Sequence, residues 1–212
     1  MEAYLMLLCD IGNTSLHFYD EESGRDYREP AATFDPAEVT VPVYYINVNA
    51  ALQPRLDSLE NWTDLRPFIA WEDYYATMGI DRVAACEAVE EGVIVDAGSA
   101  ITVDVVRGGR FEGGFIYPGV SALSETYRRI SPRLDSSFNF DMQLDKMPKN
   151  TKDAISYGAL GLLAREVRAY GLPVYLTGGN ALELMPLFGA PNHEPLLLFS
   201  GMKKIIQKAG LC

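Results

Sequence analysis

The feature that most limits how this chain can fold is a short pattern that occurs twice: an apolar run, an aspartate, one further residue, a glycine, then a second apolar run. The first copy is Leu8-Cys9-Asp10-Ile11-Gly12-Asn13-Thr14, continuing into Ser15-Leu16-His17-Phe18-Tyr19. The second is Ile94-Val95-Asp96-Ala97-Gly98-Ser99, continuing through Ala100 to Val106. Each reads as a buried strand, a tight turn and an antiparallel return strand, with Gly12 and Asn13 able to adopt positive φ in the first. The aspartates lie 86 positions apart, which suggests a duplicated α/β unit. A carboxylate at the tip of a buried strand is costly unless a cation, a donor or a ligand meets it.

Between the two copies, Glu21 to Arg25 reads as a polar turn and Thr40 to Asn47 as a strand with Pro42 near its start. Ala51 to Asn61 fits a helix interrupted by Pro54, and Pro67 to Ala70 a short strand. Gly79 to Glu91 is a helix whose Ile80, Val83, Ala84 and Cys86 to Ala88 make an apolar stripe, ended by Gly92. After the second hairpin come a third strand, a Pro118-Gly119 break and a helix to about Arg129. Ser131 to Asn150 is an irregular loop and Thr151 to Tyr170 a helix. Leu172 to Asn180 is a strand that delivers a Gly-Gly turn to the next helix, a geometry suited to anions. Leu196 to Phe199 reads as a short strand and Gly201 to Ala209 as a closing helix. The expected architecture is therefore two α/β halves with mixed sheets and a cleft between them, residues 1–90 and 91–212.

Composition excludes several classes. With 18 Lys plus Arg against 29 Asp plus Glu, the formal net charge is -11, which disfavours a nucleic-acid surface and repels polyanionic nucleotides at long range. A phosphorylated substrate would need local donors and a divalent cation to overcome that field. No apolar run approaches a membrane span and no leader peptide precedes the first strand, so a cytoplasmic protein is expected. Three cysteines without a CxxC pair indicate neither a disulfide framework nor a zinc knuckle. There is no GxxxxGK[ST], GxGxxG, HExxH or GxSxG, and two histidines leave little material for a serine or cysteine triad.

What remains suits phosphoryl transfer, which needs backbone N–H groups and hydroxyls around phosphate, a divalent ion bridging its oxygens, and a base near the acceptor hydroxyl. In that reading Asp10 orients Mg2+ through water, Gly12 to Ser15 wrap the phosphates, and the Thr177-Gly178-Gly179 turn adds a second phosphate contact.

Six motifs then occur in a telling order: Asp10-Ile11-Gly12-Asn13-Thr14, Gly79-Ile80-Asp81-Arg82, Asp96-Ala97-Gly98-Ser99, Gly113 to Gly119, Asn150 to Ile155, and Thr177 to Asn180. Together they resemble the type III pantothenate kinases of the actin-like ATPase superfamily, over nearly the whole chain. The resemblance implies two ribonuclease-H-like domains, ATP-dependent phosphorylation of pantothenate at the entry to coenzyme A synthesis, a homodimer, and dependence on K+ or NH4+. It assigns Asp10, Ile11, Gly12, Asn13, Thr14, Ser15, Leu16 and His17 to the first phosphate-binding stretch. Gly79, Ile80, Asp81 and Arg82 contact pantothenate, with Asp81 as the proton acceptor and Thr151 as a second contact. Asp96 becomes the monovalent-cation ligand and Ser99 an ATP contact. Physical chemistry agrees at Asp81, since the first turn of a helix favours its ionised form. Two positions depart from the family pattern. Ser99 replaces the usual Thr, and Glu72 stands where a substrate-contacting Tyr is usual, so Tyr74 or Tyr75 takes that role.

Each residue also has a plainer reading. Asp10 can cap its own turn, Asp81 can be an ordinary helix-start residue, and Thr177-Gly178-Gly179 can be a turn alone. Thr151 fits a helix cap, His17 the sheet surface, and Trp71, Tyr74 and Tyr75 either a substrate wall or a subunit contact. The alternatives for function are another small-molecule kinase or phosphatase of the superfamily, and a non-catalytic transcriptional accessory regulator on the same fold.

Overall fold

The computed structural model describes residues 6–211; Leu5, which opens the first apolar run, and Cys212 lie outside them. The chain divides into two compact units, Met1–Val89 with Leu196–Cys212, and Glu90–Pro195. The final helix belongs to the first unit, whereas the sequence reading placed it in the second.

In the first unit β1 (Leu7–Ile11) pairs antiparallel with β2 (Ser15–Asp20), which pairs with β3 (Arg25–Pro30). On its other side β1 pairs parallel with β4 (Val43–Asn47), and β4 with β5 (Trp62–Asp64). The second unit repeats this strand for strand. There β6 (Gly92–Ala97) runs antiparallel to β7 (Ala100–Arg107), β7 to β8 (Arg110–Pro118), and β6 parallel to β9 (Val174–Thr177), which is followed by β10 (Asn192–His193). The sheet orders β3-β2-β1-β4-β5 and β8-β7-β6-β9-β10 are thus the same path, and the duplication extends from the hairpin to the whole sheet.

Alternation along the strands assigns each face its partner. Leu7, Cys9, Ile11, Leu16, Phe18, Val43 and Tyr45 pack against Leu52, Leu56 and Trp62. The opposite face of the same sheet meets α7 (Leu197–Lys208), where Phe199 lies 4.8 Å edge-on to His17 and 5.4 Å over Tyr19. In the second unit Val93, Val95, Ala97, Ile101, Val103 and Val105 form a core with residues of α4 (Thr151–Ser156), a π turn (Tyr157–Gly161) and α5 (Leu162–Ala169).

Several local expectations are corrected. Pro54 starts a single helical turn, α1 (Gln53–Leu56), because proline is favoured in a first turn, and it interrupts nothing. Pro67–Ala70 is not a strand: Arg66–Phe68 is a 3-10 turn, and the strand lies earlier, at Trp62–Asp64. Leu197 to Phe199 is the first turn of α7 and not a strand, since a short apolar run fits either state and only packing decides. Gly12 and Asn13 do not use positive φ. His17 is buried, with its Nε2 2.8 Å from Asp26 Oδ2, and does not lie on the sheet surface.

The helix α2 (Ile80–Ala88) crosses α7 at Gly201, where an added Cβ would stand 1.7 Å from the Ala84 carbonyl oxygen. Backbone cannot yield as a side-chain end can, so Gly201→Ala is expected to cost roughly 2 kcal/mol or more, read by urea denaturation. Burial pushes the His17 imidazole pKa down, outweighing the Asp26 carboxylate, which pulls it up. The unfolded chain therefore takes up that proton first. Stability from this group is complete above about pH 6.5 and falls as the pH drops through that value. A His17→Gln variant should lose this part of the pH dependence of the melting temperature.

Candidate active site

In the first unit the turn after β1 is fixed by backbone bonds. Gly12 N–H donates to Ser15 O at 3.0 Å, and Ala31 N–H to Thr14 O at 3.0 Å. Two residues missed in the sequence complete it. Val48 N–H donates to Ile11 O at 3.0 Å, and Asn49 Nδ2 lies 3.4 Å from Gly12 O. Asn49 is itself held by Asn47 Oδ1, which accepts its N–H at 2.7 Å. The signal was present, since Asn47-Val48-Asn49 follows directly on a strand end, where Asn side chains commonly bond backbone two residues on. Asp10 is half-buried and stands opposite His17 on β2 and Ile46 on β4. Asn13 and Thr14 are exposed at the tip, whereas Ile11 and Leu16 are fully buried. Ile11, Leu16 and His17 can therefore offer a ligand little beyond their backbone.

The same unit carries the Gly79–Arg82 motif. Gly79 is the N-cap of α2, and Asp81 stands in its first turn, its Oδ1 accepting the Arg82 N–H at 2.8 Å. Arg82 is only 5% exposed, so its charge requires partners. Its Nη1 donates to the Tyr75 hydroxyl, and its guanidinium lies 5.7 Å from the centre of the Tyr75 ring. Tyr74 is engaged elsewhere, donating to Glu87 Oε1 at 3.1 Å. Burial first, then the Glu87 charge, pushes its phenol pKa far up. The two adjacent tyrosines, equivalent in the sequence, are thus separated by their partners.

In the second unit Asp96 is the penultimate residue of β6, and its register neighbours are Thr102 on β7 and Thr177 on β9. Directly paired residues share a face, so the carboxylate is flanked by two hydroxyl residues. The Thr177-Gly178 turn closes on it. Gly178 has φ +89°, and a Cβ there would lie 2.4 Å from Asp96 Oδ1 and 2.7 Å from Ala97 backbone. Only glycine fits that cradle. Asn180 N–H fixes the turn by donating to Ala97 O at 2.9 Å. Ser99 is exposed at the β6–β7 turn, and Gly119, the N-cap of α3 (Val120–Ile130), packs against the Ser99 and Gly98 carbonyls. Beside them runs a groove of about 500 Å³ lined by Ser121, Ser124, Asn180 and Glu183 among others. Asp96, Ser99, Gly119 and the Thr177-Gly178 turn therefore converge within one unit.

Thr151 is the exposed first residue of α4. The cap is not Thr151 but Asn150, whose Oδ1 accepts the Asp153 N–H at 2.9 Å. Asn139 and Asn150 amides bind the Asp153 carboxylate and hold its pKa below the usual range.

Among the described residues no group of three His, Cys, Asp or Glu side chains is placed to hold a metal. A divalent ion here would draw most ligands from phosphate and water, as Mg2+ commonly does. Asp96 with its hydroxyl and carbonyl surroundings is an all-oxygen set, which fits a hard cation. No helix among the described residues is long and apolar enough to cross a membrane.

Known proteins resemble this chain over nearly its whole length. A sequence profile for type III pantothenate kinase matches residues 63–170. The type III pantothenate kinase of Sulfurimonas denitrificans is 56% identical over 98% of this chain and 100% of its own length. A solved structure from Campylobacter jejuni, assigned to the Baf family of transcriptional activators, superposes with TM-score 0.84 at 38% identity, covering 97% of this chain and 100% of that one. The activator of 2-hydroxyisocaproyl-CoA dehydratase from Clostridium difficile, solved with ADPNP, gives TM-score 0.55 at 12% identity over 98% of this chain and 96% of its own, a likeness of fold alone. With a profile match over half the chain and 56% identity to a named member over nearly its whole length, the chain belongs to the type III pantothenate kinase family.

Proposed function

We propose that this protein transfers the terminal phosphoryl group of ATP to the primary hydroxyl of pantothenate, the step that opens coenzyme A synthesis. Family membership supports the reaction class, and the observation that carries the residue assignment is the Gly79–Arg82 turn. It sets a carboxylate at the start of a helix beside a buried arginine.

The acceptor oxygen forms a bond to the γ-phosphorus while the bond from that phosphorus to the bridging oxygen breaks, and ADP leaves with the electron pair. The acceptor proton passes to Asp81. Its Oδ1 is bound by the Arg82 N–H, so Oδ2 is the oxygen assigned to the proton. A loose transition state demands the proton only late, so a carboxylate at this position suffices as acceptor. Arg82, braced by Tyr75, is assigned to the acceptor's anionic group, with Thr151 as a further contact. Tyr75 takes the tyrosine position, since Tyr74 is committed to Glu87.

The Asp10 to His17 turn and Ser99 are assigned to ATP, Asp10 to Mg2+ through water, and Asp96 to K+ or NH4+. These cations, when bound, neutralise charge on the phosphate oxygens. That matters for a chain of net charge -11. A homodimer in the cytoplasm completes the reading, on family grounds.

A second reading has one observation behind it: the C. jejuni relative is described as a transcriptional activator. An ADP-release assay with pantothenate, run with and without K+, separates the two. Turnover that requires pantothenate and rises with K+ is expected. Asp81→Asn should lower kcat by roughly 10²-fold or more, the scale of a general base, and Asp96→Asn should remove the response to K+. No turnover from folded protein would leave the accessory role standing, and unchanged turnover in Asp81→Asn would remove Asp81 as the base.

A further inference from the structure

The helix that begins at Thr151 is not continuous α-helix: Tyr157–Gly161 form a π turn between α4 and α5. A π turn carries one residue more than the α-helical repeat. Since each residue of an α-helix advances about 100°, that residue rotates everything before it, Thr151 included, relative to α5. Such a turn persists only where its surroundings favour it.

One side chain does so directly. The Tyr117 hydroxyl, carried on β8, donates to the carbonyl oxygen of Ala159 in the middle of the π turn. Ala159 is 2% exposed, so water offers little substitute for that bond. Burial, with a smaller contribution from Tyr127, raises the Tyr117 phenol pKa, which keeps the hydroxyl a donor. Tyr127 of α3 covers the same turn, its hydroxyl 3.4 Å from where a Cβ on Gly158 would stand.

The register held there is shared by the residues upstream. The fully buried Ser156 hydroxyl donates to Lys152 O at 2.8 Å and accepts the Asn139 N–H at 2.7 Å. Asp153 accepts Asn139 Nδ2 at 2.7 Å and Asn150 Nδ2 at 2.6 Å. Arg165 lies 5.1 Å over the Tyr157 ring and donates to the Leu144 carbonyl. A slip of one residue at the turn would break the Arg165 contacts, which span it, whereas the Ser156 and Asp153 bonds tie Asn139 to α4 on its upstream side. The Thr151 turn and Asn139 are therefore joined to the upstream end of the π turn and take their orientation from it.

We propose that Tyr117 is a positioning residue for the acceptor: by holding the Ala159 carbonyl it keeps the π turn in register and so sets the place of the Thr151 turn. This rests on the reading of Thr151 as a pantothenate contact. It gives a role to the Gly113–Gly119 stretch, which carries Tyr117.

The test is steady-state kinetics of the full chain with Tyr117→Phe, which keeps the ring and deletes one hydroxyl. The KM for pantothenate should rise about tenfold, the scale of one lost hydrogen bond, with kcat and the KM for ATP within about twofold of the parent. Tyr127→Phe, which removes a neighbouring hydroxyl not bonded to the turn, should change none of them. An unmoved pantothenate KM in Tyr117→Phe, or a uniform loss of kcat with both substrates affected, overturns the proposal. A measurement on the unaltered protein guards against a variant that does not fold: pantothenate should slow hydrogen exchange over 157–161 together with 151–156, and protection of neither overturns it too. Absence of any pantothenate turnover in the unaltered chain overturns the proposed function itself, an outcome distinct from turnover with an unmoved KM in the variant.

Discussion

Each half of this protein is organised around one strand that is antiparallel to its neighbour on one side and parallel on the other. β1 and β6 hold that position, and the residues before their aspartates are almost wholly excluded from solvent. The change of direction leaves the carboxyl end of the strand beside the start of a hairpin and the end of a parallel strand, the place where open α/β sheets receive ligands. A side chain there cannot withdraw into the core, and a carboxylate there needs a partner. Asp10 and Asp96 occupy equivalent points in two copies of one topology.

The copies have diverged in what surrounds that carboxylate. Asp96 has Thr102 and Thr177 as neighbours and the Gly178 backbone folded against it, an oxygen-rich setting. Asp10 has His17 and Ile46, and the imidazole is turned to Asp26. The first site is thus a backbone turn with one carboxylate and the second a carboxylate in a polar cradle, which is the division of labour the proposed reaction needs.

Much of this was legible in the sequence because the strongest signals coincide with the site. Both hairpins and the helix at Ile80–Ala88 follow from apolar periodicity ended by glycine, and their aspartates stand out because they violate it. What escaped has physical reasons. β3 is exposed along its whole length, so Arg25 to Pro30 carry no apolar pattern and become a strand only by pairing with β2. The run Leu196 to Phe199 is too short to show a period, and its helical state depends on Gly201 meeting Ala84 in another element. Whether Tyr74 or Tyr75 attends Arg82 depends on Glu87, a residue thirteen positions from Tyr74 that the helix brings back. The π turn at Tyr157–Gly161 has its support on β8, far away in sequence.

The proposed function depends most on whether the aspartates near the strand ends bind ligands in addition to any part they take in their own turns. Nucleotide affinity and thermal stability, measured side by side for Asp10→Asn and Asp96→Asn, test it most directly. A ligand-binding role predicts folded variants whose Mg–ATP binding is weaker by about tenfold or more, whatever the change in melting temperature. A lowered melting temperature with unchanged Mg–ATP binding would identify them as structural caps and contradict the account.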